Sequence, residues 1–283
     1  MSSPQIWLVT GTSSGLGAAF VETIIARGDK VIATARNVDS LLHLKALGAE
    51  TLQLDVSSSQ EELNKTAQDA ISIYGRIDIV VNNAGYVQFG TIEETTIEEW
   101  NQQYQTNVFG TLNATRAFLP HLRDNKSGTI IFIGSMVAWD GVPTVGTYCS
   151  SKAALHYAVE ALSREVASVG IKTLLVEPGT FRTKFLSSQN QKRAAPKYKD
   201  YEELNMTVSG DFDQLAGNQT GDPQKAAELV VNVVKGENGT GGKKWPSTLL
   251  LGSDAVDLIR KRCQETLREL DEWEVLSRST DVY

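Results

Sequence analysis

The stretch Ile6-Trp-Leu-Val-Thr10-Gly11-Thr-Ser-Ser-Gly15-Leu-Gly17 decides how this chain reads. Ile6 to Thr10 is a short apolar run of a length that suits a buried strand. Residues Leu16 to Arg27 have helical character. Between the two stand Gly11, Gly15 and Gly17, with Ser13 and Ser14 among them. Such a strand–turn–helix lets the backbone turn tightly and approach a pyrophosphate, whose charge the free amides and dipole of the helix N-terminus attract. A plain turn seldom needs three glycines. The spacing is wider at its start than the common dinucleotide fingerprint. Gly11, Ser13, Ser14, Gly15, Leu16 and Gly17 are therefore read as the phosphate end of a dinucleotide site.

Outward from this turn, apolar runs alternate with helical segments. The strands are expected at Ile6–Thr10, Lys30–Ala35, Thr51–Leu54, Ile77–Val81, Thr129–Ile133, Lys172–Val176 and Thr248–Leu251. Runs such as Thr129-Ile-Ile-Phe-Ile133 are apolar throughout, the pattern of strands buried on both faces of a parallel sheet. Helices are expected near Leu16–Arg27, Ser59–Tyr74, Ile97–Leu122, Gly146–Val169 and Pro223–Lys235. The alternation predicts an α/β fold, a doubly wound parallel sheet of about seven strands with helices on both faces, as one domain over residues 1–283. Residues 180–222 show no clear strand and read as a substrate loop. From Ser253 to about residue 276, Val256, Ile259, Cys263, Leu267, Leu270 and Trp273 recur at helical spacing, predicting one amphipathic helix packed on the body.

Composition narrows the function. Of 283 residues, 27 are Lys or Arg and 34 are Asp or Glu, a net charge of −7. An acidic balance argues against a general nucleic-acid binder, which needs a basic surface. Cys149 and Cys263 exclude a disulfide scaffold, and His43, His121 and His156 lie far apart, so no metal site is expected. Without a basic leader or a long apolar stretch, the chain is expected in the cytoplasm with no membrane partner.

Arg36 follows the second strand, where Ala35 takes the place of the acidic residue that usually holds a ribose 2′-hydroxyl. A guanidinium suits a 2′-phosphate, so the cofactor is expected to be NADP(H). Asp55, beside Val56, closes the third strand, either toward an adenine or as a turn residue. Tyr148 and Lys152 share a helix face at i and i+4. A nearby ammonium stabilises phenolate, which makes an acid/base pair suited to an alcohol oxygen. Ser135 lies just past the fifth strand, and Asn82-Asn83-Ala84-Gly85 closes the fourth at the same sheet edge. Asn107 sits inside a helix that disfavours asparagine, which points to a specific hydrogen bond.

Together, Thr10-Gly-x3-Gly15-x-Gly17, Asn82-Asn-Ala-Gly85, Asn107, Ser135, Tyr148-x3-Lys152 and Pro178-Gly179 resemble the short-chain dehydrogenase/reductase family, in its single-domain, NADP(H)-preferring branch. The likeness covers residues 5 to about 185, and the strand at Thr248–Leu251 extends it. It implies a Rossmann-like fold and an oxidoreductase acting on a ketone, an aldehyde or a secondary alcohol, most simply a carbonyl reductase. It implies Tyr148 as general acid/base, Ser135 as the group that polarises the carbonyl, Lys152 on the nicotinamide ribose and Asn107 as holder of a relay water. Asn83, Ala84 and Gly85 would line the cofactor, and Pro178, Gly179, Phe181 and Thr183 would sit by the nicotinamide. A homodimer or homotetramer is implied, assembled through the segments at Ile97–Leu122 and Gly146–Val169. The alternative is a non-redox isomerase, lyase or cyclase using the same fold and bound cofactor.

The substrate is a small molecule, met by Ser135, Met136 and Tyr148. Val137, Ala138, Val142 and Tyr86 complete an apolar wall. Lys184, Lys192, Arg193, Lys197 and Lys199 make the loop basic, and read as a solvated mobile lid. Tyr86 and Trp139 either narrow the pocket or pack in the core. Cys149 reads as a small helix residue, and the three histidines as helix-surface residues.

Overall fold

The computed structural model describes residues 3–186 and 191–282. Nine strands are seen among them: β1 (Ile6–Val9), β2 (Lys30–Ala35), β3 (Glu50–Gln53), β4 (Ile79–Asn82), β5 (Val87–Phe89), β6 (Gly128–Ile133), β7 (Ile171–Pro178), β8 (Gln191–Arg193) and β9 (Thr248–Leu251). The helices are α1 (Gly15–Ala26), α2 (Leu42–Ala46), α3 (Gln60–Tyr74), α4 (Ile97–Tyr104), α5 (Thr111–Asp124), α6 (Gly146–Val166), α7 (Glu202–Leu215), α8 (Pro223–Lys235) and α9 (Ser253–Arg278).

Seven strands form one parallel sheet in the order β3-β2-β1-β4-β6-β7-β9. Alternate residues serve the two faces, as strand geometry requires. Trp7, Val9, Val31, Ile79, Ile131 and Val176 join a core with α1 and α8. Leu8, Ile32, Val80, Ile130, Phe132 and Leu175 join another with residues of α3, α5 and α6. The strand order reverses between β1 and β4, so a crevice opens beyond their carboxyl ends. The Gly-rich turn, the Asn82–Gly85 turn, Ser135 and Pro178–Gly179 all follow strands at that edge.

Local chemistry fixes the helix ends. Ser59 and Glu62 form a reciprocal capping box on α3, and Thr96 and Glu99 do the same on α4. Asp222 caps α8, Pro223 opens it and Gly236 closes it in the left-handed region.

Three expectations are corrected. The single helix expected at Ile97–Leu122 is interrupted by π-helical backbone at Gln105–Gly110, which contains Asn107. Residues 180–222 hold the short strand β8, paired in parallel with β5, and the helix α7; residues 187–190 of that loop lie outside the described residues. The tail helix packs only at its start, burying Ala255 and Ile259 while Leu267, Leu270 and Trp273 stay exposed. Among the described residues no helix is long and apolar enough to cross a membrane.

Candidate active site

At the phosphate end, β1 and β4 are knitted together through one threonine. Thr10 Oγ1 accepts the amides of Asn83 at 3.0 Å and Ala84 at 3.1 Å. In return Asn83 Nδ2 donates to the carbonyls of Thr10 and Gly11, each at 2.9 Å. Asn83 thus braces the glycine turn as well as flanking the crevice. Gly11 has φ +70°, and a Cβ there would lie 2.8 Å from Ala84 Cα. A Cβ on Gly17 would lie 2.4 Å from the Gly11 carbonyl oxygen, so neither position admits a side chain.

No side chain caps α1: Ser14 is extended and makes no capping bond. The first-turn amides of this helix are therefore available to an anion. A groove of ≈ 410 Å³ opens beside them, lined by Ser13, Ser14, Gly15, His43, Arg182 and Thr183. Arg36 is exposed directly after β2, which runs alongside the turn through the Thr12 amide bond to the Thr34 carbonyl. These residues fit a dinucleotide phosphate. Asp55 takes the turn role, its Oδ1 accepting the Ser57 amide at 2.9 Å and hydroxyl at 2.6 Å. Val56 is buried, and the Leu16 side chain is set against the core of that face.

At the reacting end, α6 carries Tyr148 and Lys152 on one buried face. The Lys152 ammonium donates to the Ile133 carbonyl at 2.7 Å and lies 5.8 Å from the Tyr148 ring centroid. Burial pulls Lys152 down to about 8, against the opposing pull of Glu177. Burial also pushes the Tyr148 phenol well above its usual value, while a hydrogen bond from Ser135 draws it back. The net shift is upward, so desolvation outweighs the lowering expected from a nearby ammonium. Ser135 caps the turn Met136–Ala138, its Oγ accepting the Val137 amide at 3.4 Å. Ser135, Tyr148 and Lys152 thus meet at one place.

Asn107 closes the group from the π-helical segment. Its Oδ1 accepts the Tyr86 amide at 3.2 Å, and its Nδ2 donates to the Tyr86 carbonyl at 3.1 Å and Ser151 Oγ at 3.3 Å. A Cβ on Gly85 would lie 3.2 Å from Asn107 Oδ1 and 3.8 Å from Lys152 Nζ, which places all three side by side.

The structure adds residues that the sequence left unassigned. Glu177, fully buried at the end of β7, joins His156 Nδ1 at 2.8 Å and accepts Trp139 Nε1 at 2.7 Å. His156 is therefore half-buried in an ion pair rather than on the helix surface, and the Trp139 indole braces the same carboxylate. Asp254, in the first turn of α9, accepts the Thr180 amide and hydroxyl, each at 2.7 Å. Gly179 leaves room for it, since a Cβ there would lie 2.0 Å from Asp254 Oδ1. Phe181 bridges to Gly221, and Thr183 lies against Gly15.

The described part of the lid is anchored to the body at several points, while Lys192, Arg193, Lys197 and Lys199 are exposed to solvent, as the sequence predicts. Buried Glu94 accepts the Lys197 amide at 2.9 Å, the Tyr198 amide at 3.2 Å and Asn205 Nδ2 at 2.9 Å. Asn205 first, then the Lys197 amide, hold its carboxyl down to about 2. Lys197 Nζ donates to the Glu94 carbonyl, Lys192 lies 4.8 Å over the Tyr86 ring and Arg193 4.6 Å over Phe89. Beneath this cover Val87, Phe89, Val145 and Tyr148 form an apolar cluster with Val137, Val142, Phe185 and Phe212. Burial raises the Cys149 thiol in the same cluster, which keeps it inert. Burial also pushes the Tyr86 phenol up to about 12.

Comparison with known proteins agrees with this geometry. Residues 5–194 match the short chain dehydrogenase family profile. The chain is 33% identical to Oxidoreductase BOA17 of Botryotinia fuckeliana, over 96% of this chain and 98% of that one. It is 36% identical to a 3-ketodihydrosphingosine reductase of Bacteroides thetaiotaomicron, over 70% of this chain and 72% of that one. The crystal structure of a short-chain dehydrogenase from Streptomyces avermitilis superposes with a TM-score of 0.88 at 39% identity, covering 99% of this chain and 100% of that one. With the sheet order, the glycine turn and the Ser135–Tyr148–Lys152 cluster already in place, these likenesses make the chain a member of the short-chain dehydrogenase/reductase family, an oxidoreductase.

Proposed function

We propose that the protein is an NADP(H)-dependent carbonyl reductase acting on ketones or aldehydes with an apolar body. One observation carries this reading: the buried Tyr148 phenol stands beside Ser135, with the Lys152 ammonium 5.8 Å from its ring centroid. A protonated phenol is the form that donates to a carbonyl oxygen gaining an electron pair.

NADPH would be held by the α1 N-terminus, with Arg36 toward the 2′-phosphate and Gly85 and Lys152 toward the nicotinamide side. When bound, it supplies the hydride. The chain's own part is positioning and protons. Ser135 orients the carbonyl oxygen by hydrogen bonding, and Tyr148 gives that oxygen its proton. Lys152 stabilises the phenolate left behind, and Asn107 fixes the turn at Tyr86 that borders the site.

The apolar cluster under the lid supports the substrate class. Phe89, Val142, Val145, Phe185 and Phe212 belong to it. Three lid cations, Lys192, Arg193 and Lys197, are engaged by protein groups. The Bacteroides relative is, by its name, a reductase of a ketone, 3-ketodihydrosphingosine. Exposed Phe109 and Tyr157, beside α5 and on α6, support assembly of two or four copies through those helices.

The test is consumption of NADPH by the purified protein across ketones and aldehydes of increasing apolar size, with NADH in parallel. Turnover with NADPH, greatest for the apolar members, is expected. Tight NADPH binding with no oxidation by any carbonyl would favour the non-redox alternative.

A further inference from the structure

Behind Ile259, α9 leaves the body of the protein. The stretch from Arg260 to Arg278 is about 28 Å long at 1.5 Å per residue. Leu267 is 60% exposed, Leu270 56% and Trp273 58%, the last two with Cys263 on one side of the helix. Cys263, Thr266, Leu270, Trp273 and Ser277 are spaced alternately by three and four, the seam of a helix that pairs with another helix. An apolar stripe of this kind on a charged helix marks an interaction surface.

Charge says what covers it. The first part of the free helix is basic, with Arg260, Lys261 and Arg262. The last part is acidic, with Glu269, Asp271, Glu272 and Glu274. Within the helix Glu265 takes Lys261 and Arg262, and Arg278 takes Glu274. Arg260, Glu269, Asp271 and Glu272 form no ion pair among the described residues. A second copy crossing antiparallel near Thr266 and Leu267 brings the basic end of each helix onto the acidic end of the other. A twofold axis satisfies both ends at once. A parallel pair would set basic on basic and acidic on acidic.

We propose that α9 is a self-association surface that pairs antiparallel with α9 of a second copy. The proposal does not rest on the catalytic reading, because the residues involved touch no part of the site.

Sedimentation of the full-length protein over a range of concentrations tests it. The wild type associates, and Leu270→Glu with Trp273→Glu halves the mass while carbonyl reduction per chain stays unchanged. The dissociation constant rises by about a hundredfold or more, the worth of two large apolar side chains leaving a contact. Arg260→Glu with Arg262→Glu weakens association as well, and adding Asp271→Lys with Glu272→Lys restores it. Mild oxidation reads the direction, since Cys149 is buried and only Cys263 is exposed. The wild type stays unlinked, and Leu270→Cys gives a dimer linked to Cys263 of the other copy. An unchanged mass in the Leu270/Trp273 variant overturns the proposal. So does a Cys263–Cys263 link in the wild type, which would mean parallel helices.

Discussion

Glu177 and His156 face each other directly behind the reacting groups, His156 Nδ1 lying 2.8 Å from Glu177 Oε1. The other oxygen of the same carboxylate holds Trp139. Trp139 follows Ser135, His156 follows Lys152 by one helical turn, and Glu177 precedes Pro178-Gly179. One buried carboxylate therefore ties together the three segments that carry the site. Its charge also opposes the burial that lowers Lys152. In Glu177→Gln the amide still reaches both neighbours, but the charge is gone. The alkaline limb of kcat/KM, set near pH 8 by loss of the Lys152 charge, is expected to move to lower pH by roughly one unit. A limb that stays in place would mean that Glu177 acts on Lys152 only through structure.

The same pair ties stability to pH. The hydrogen bond to Glu177 raises His156 above its ordinary 6.5. A raised histidine stabilises the fold fully below that value and loses its worth as pH climbs through the folded-state value. His156→Leu leaves Glu177 buried without its cation, at a cost of about 3 kcal/mol. Thermal unfolding should show a larger gap between wild type and His156→Leu at pH 6 than at pH 9. An equal gap at both would contradict the charge pairing.

Tyr148→Phe removes the proton donor and leaves the ring among its apolar neighbours. Turnover of the carbonyl is expected to fall roughly 10²- to 10⁴-fold. NADPH affinity, read by quenching of protein fluorescence, should stay within about twofold, since the cofactor phosphates are bound elsewhere. A variant that retains turnover would remove Tyr148 from the chemistry.

Arg36→Ala separates the two nicotinamide cofactors. A charge-assisted bond is worth about 1.5–3 kcal/mol, or roughly 10- to 100-fold in affinity. That loss is expected for NADPH and not for NADH, both measured by titration calorimetry. Matching losses would place the guanidinium away from the 2′-phosphate.

Glu94 locks the lid to the body. In Glu94→Gln one oxygen becomes an amide facing donors, either from Lys197 and Tyr198 or from Thr91 and Asn205. The lid should loosen, with KM for the carbonyl rising several-fold, kcat changing little, and limited proteolysis within residues 191–205 speeding up. A depressed carboxylate stabilises above its unfolded value near about 4.3 and loses that worth as pH falls toward the folded one. In the wild type that limit is about 2, so the lock should survive mild acid. An unchanged KM and cleavage rate would assign Glu94 no part in holding the lid.

The Tyr148–Lys152 pair and the glycine turn were readable from the sequence because short-range rules place them. Tyr148 and Lys152 share a helix face at fixed spacing, and the glycine turn declares itself between a strand and a helix. The lid was read as a loop, but the strand pairing that holds it was not, because three-residue strands such as β5 and β8 carry too few residues for a period, and their pairing spans about a hundred positions. Asn107 stood out as an awkward helix residue, but nothing local announces the π-helical backbone around it. Gly110 is the nearest signal, packed so closely that a Cβ would lie 2.5 Å from the Val56 carbonyl oxygen. Glu177 and His156 were missed because their pairing joins a strand end to a helix, which no periodicity reports.

Asp254 divides the last helix into two parts with separate duties. Its carboxylate secures Thr180 beside the Pro178–Gly179 turn, so the opening of α9 is part of the enzyme. The stretch behind Ile259 is a handle outside it. The protein therefore carries its own attachment point, one that can be shortened, fused or exchanged without disturbing the crevice. A cut made ahead of Asp254 would instead release the turn at Pro178–Gly179.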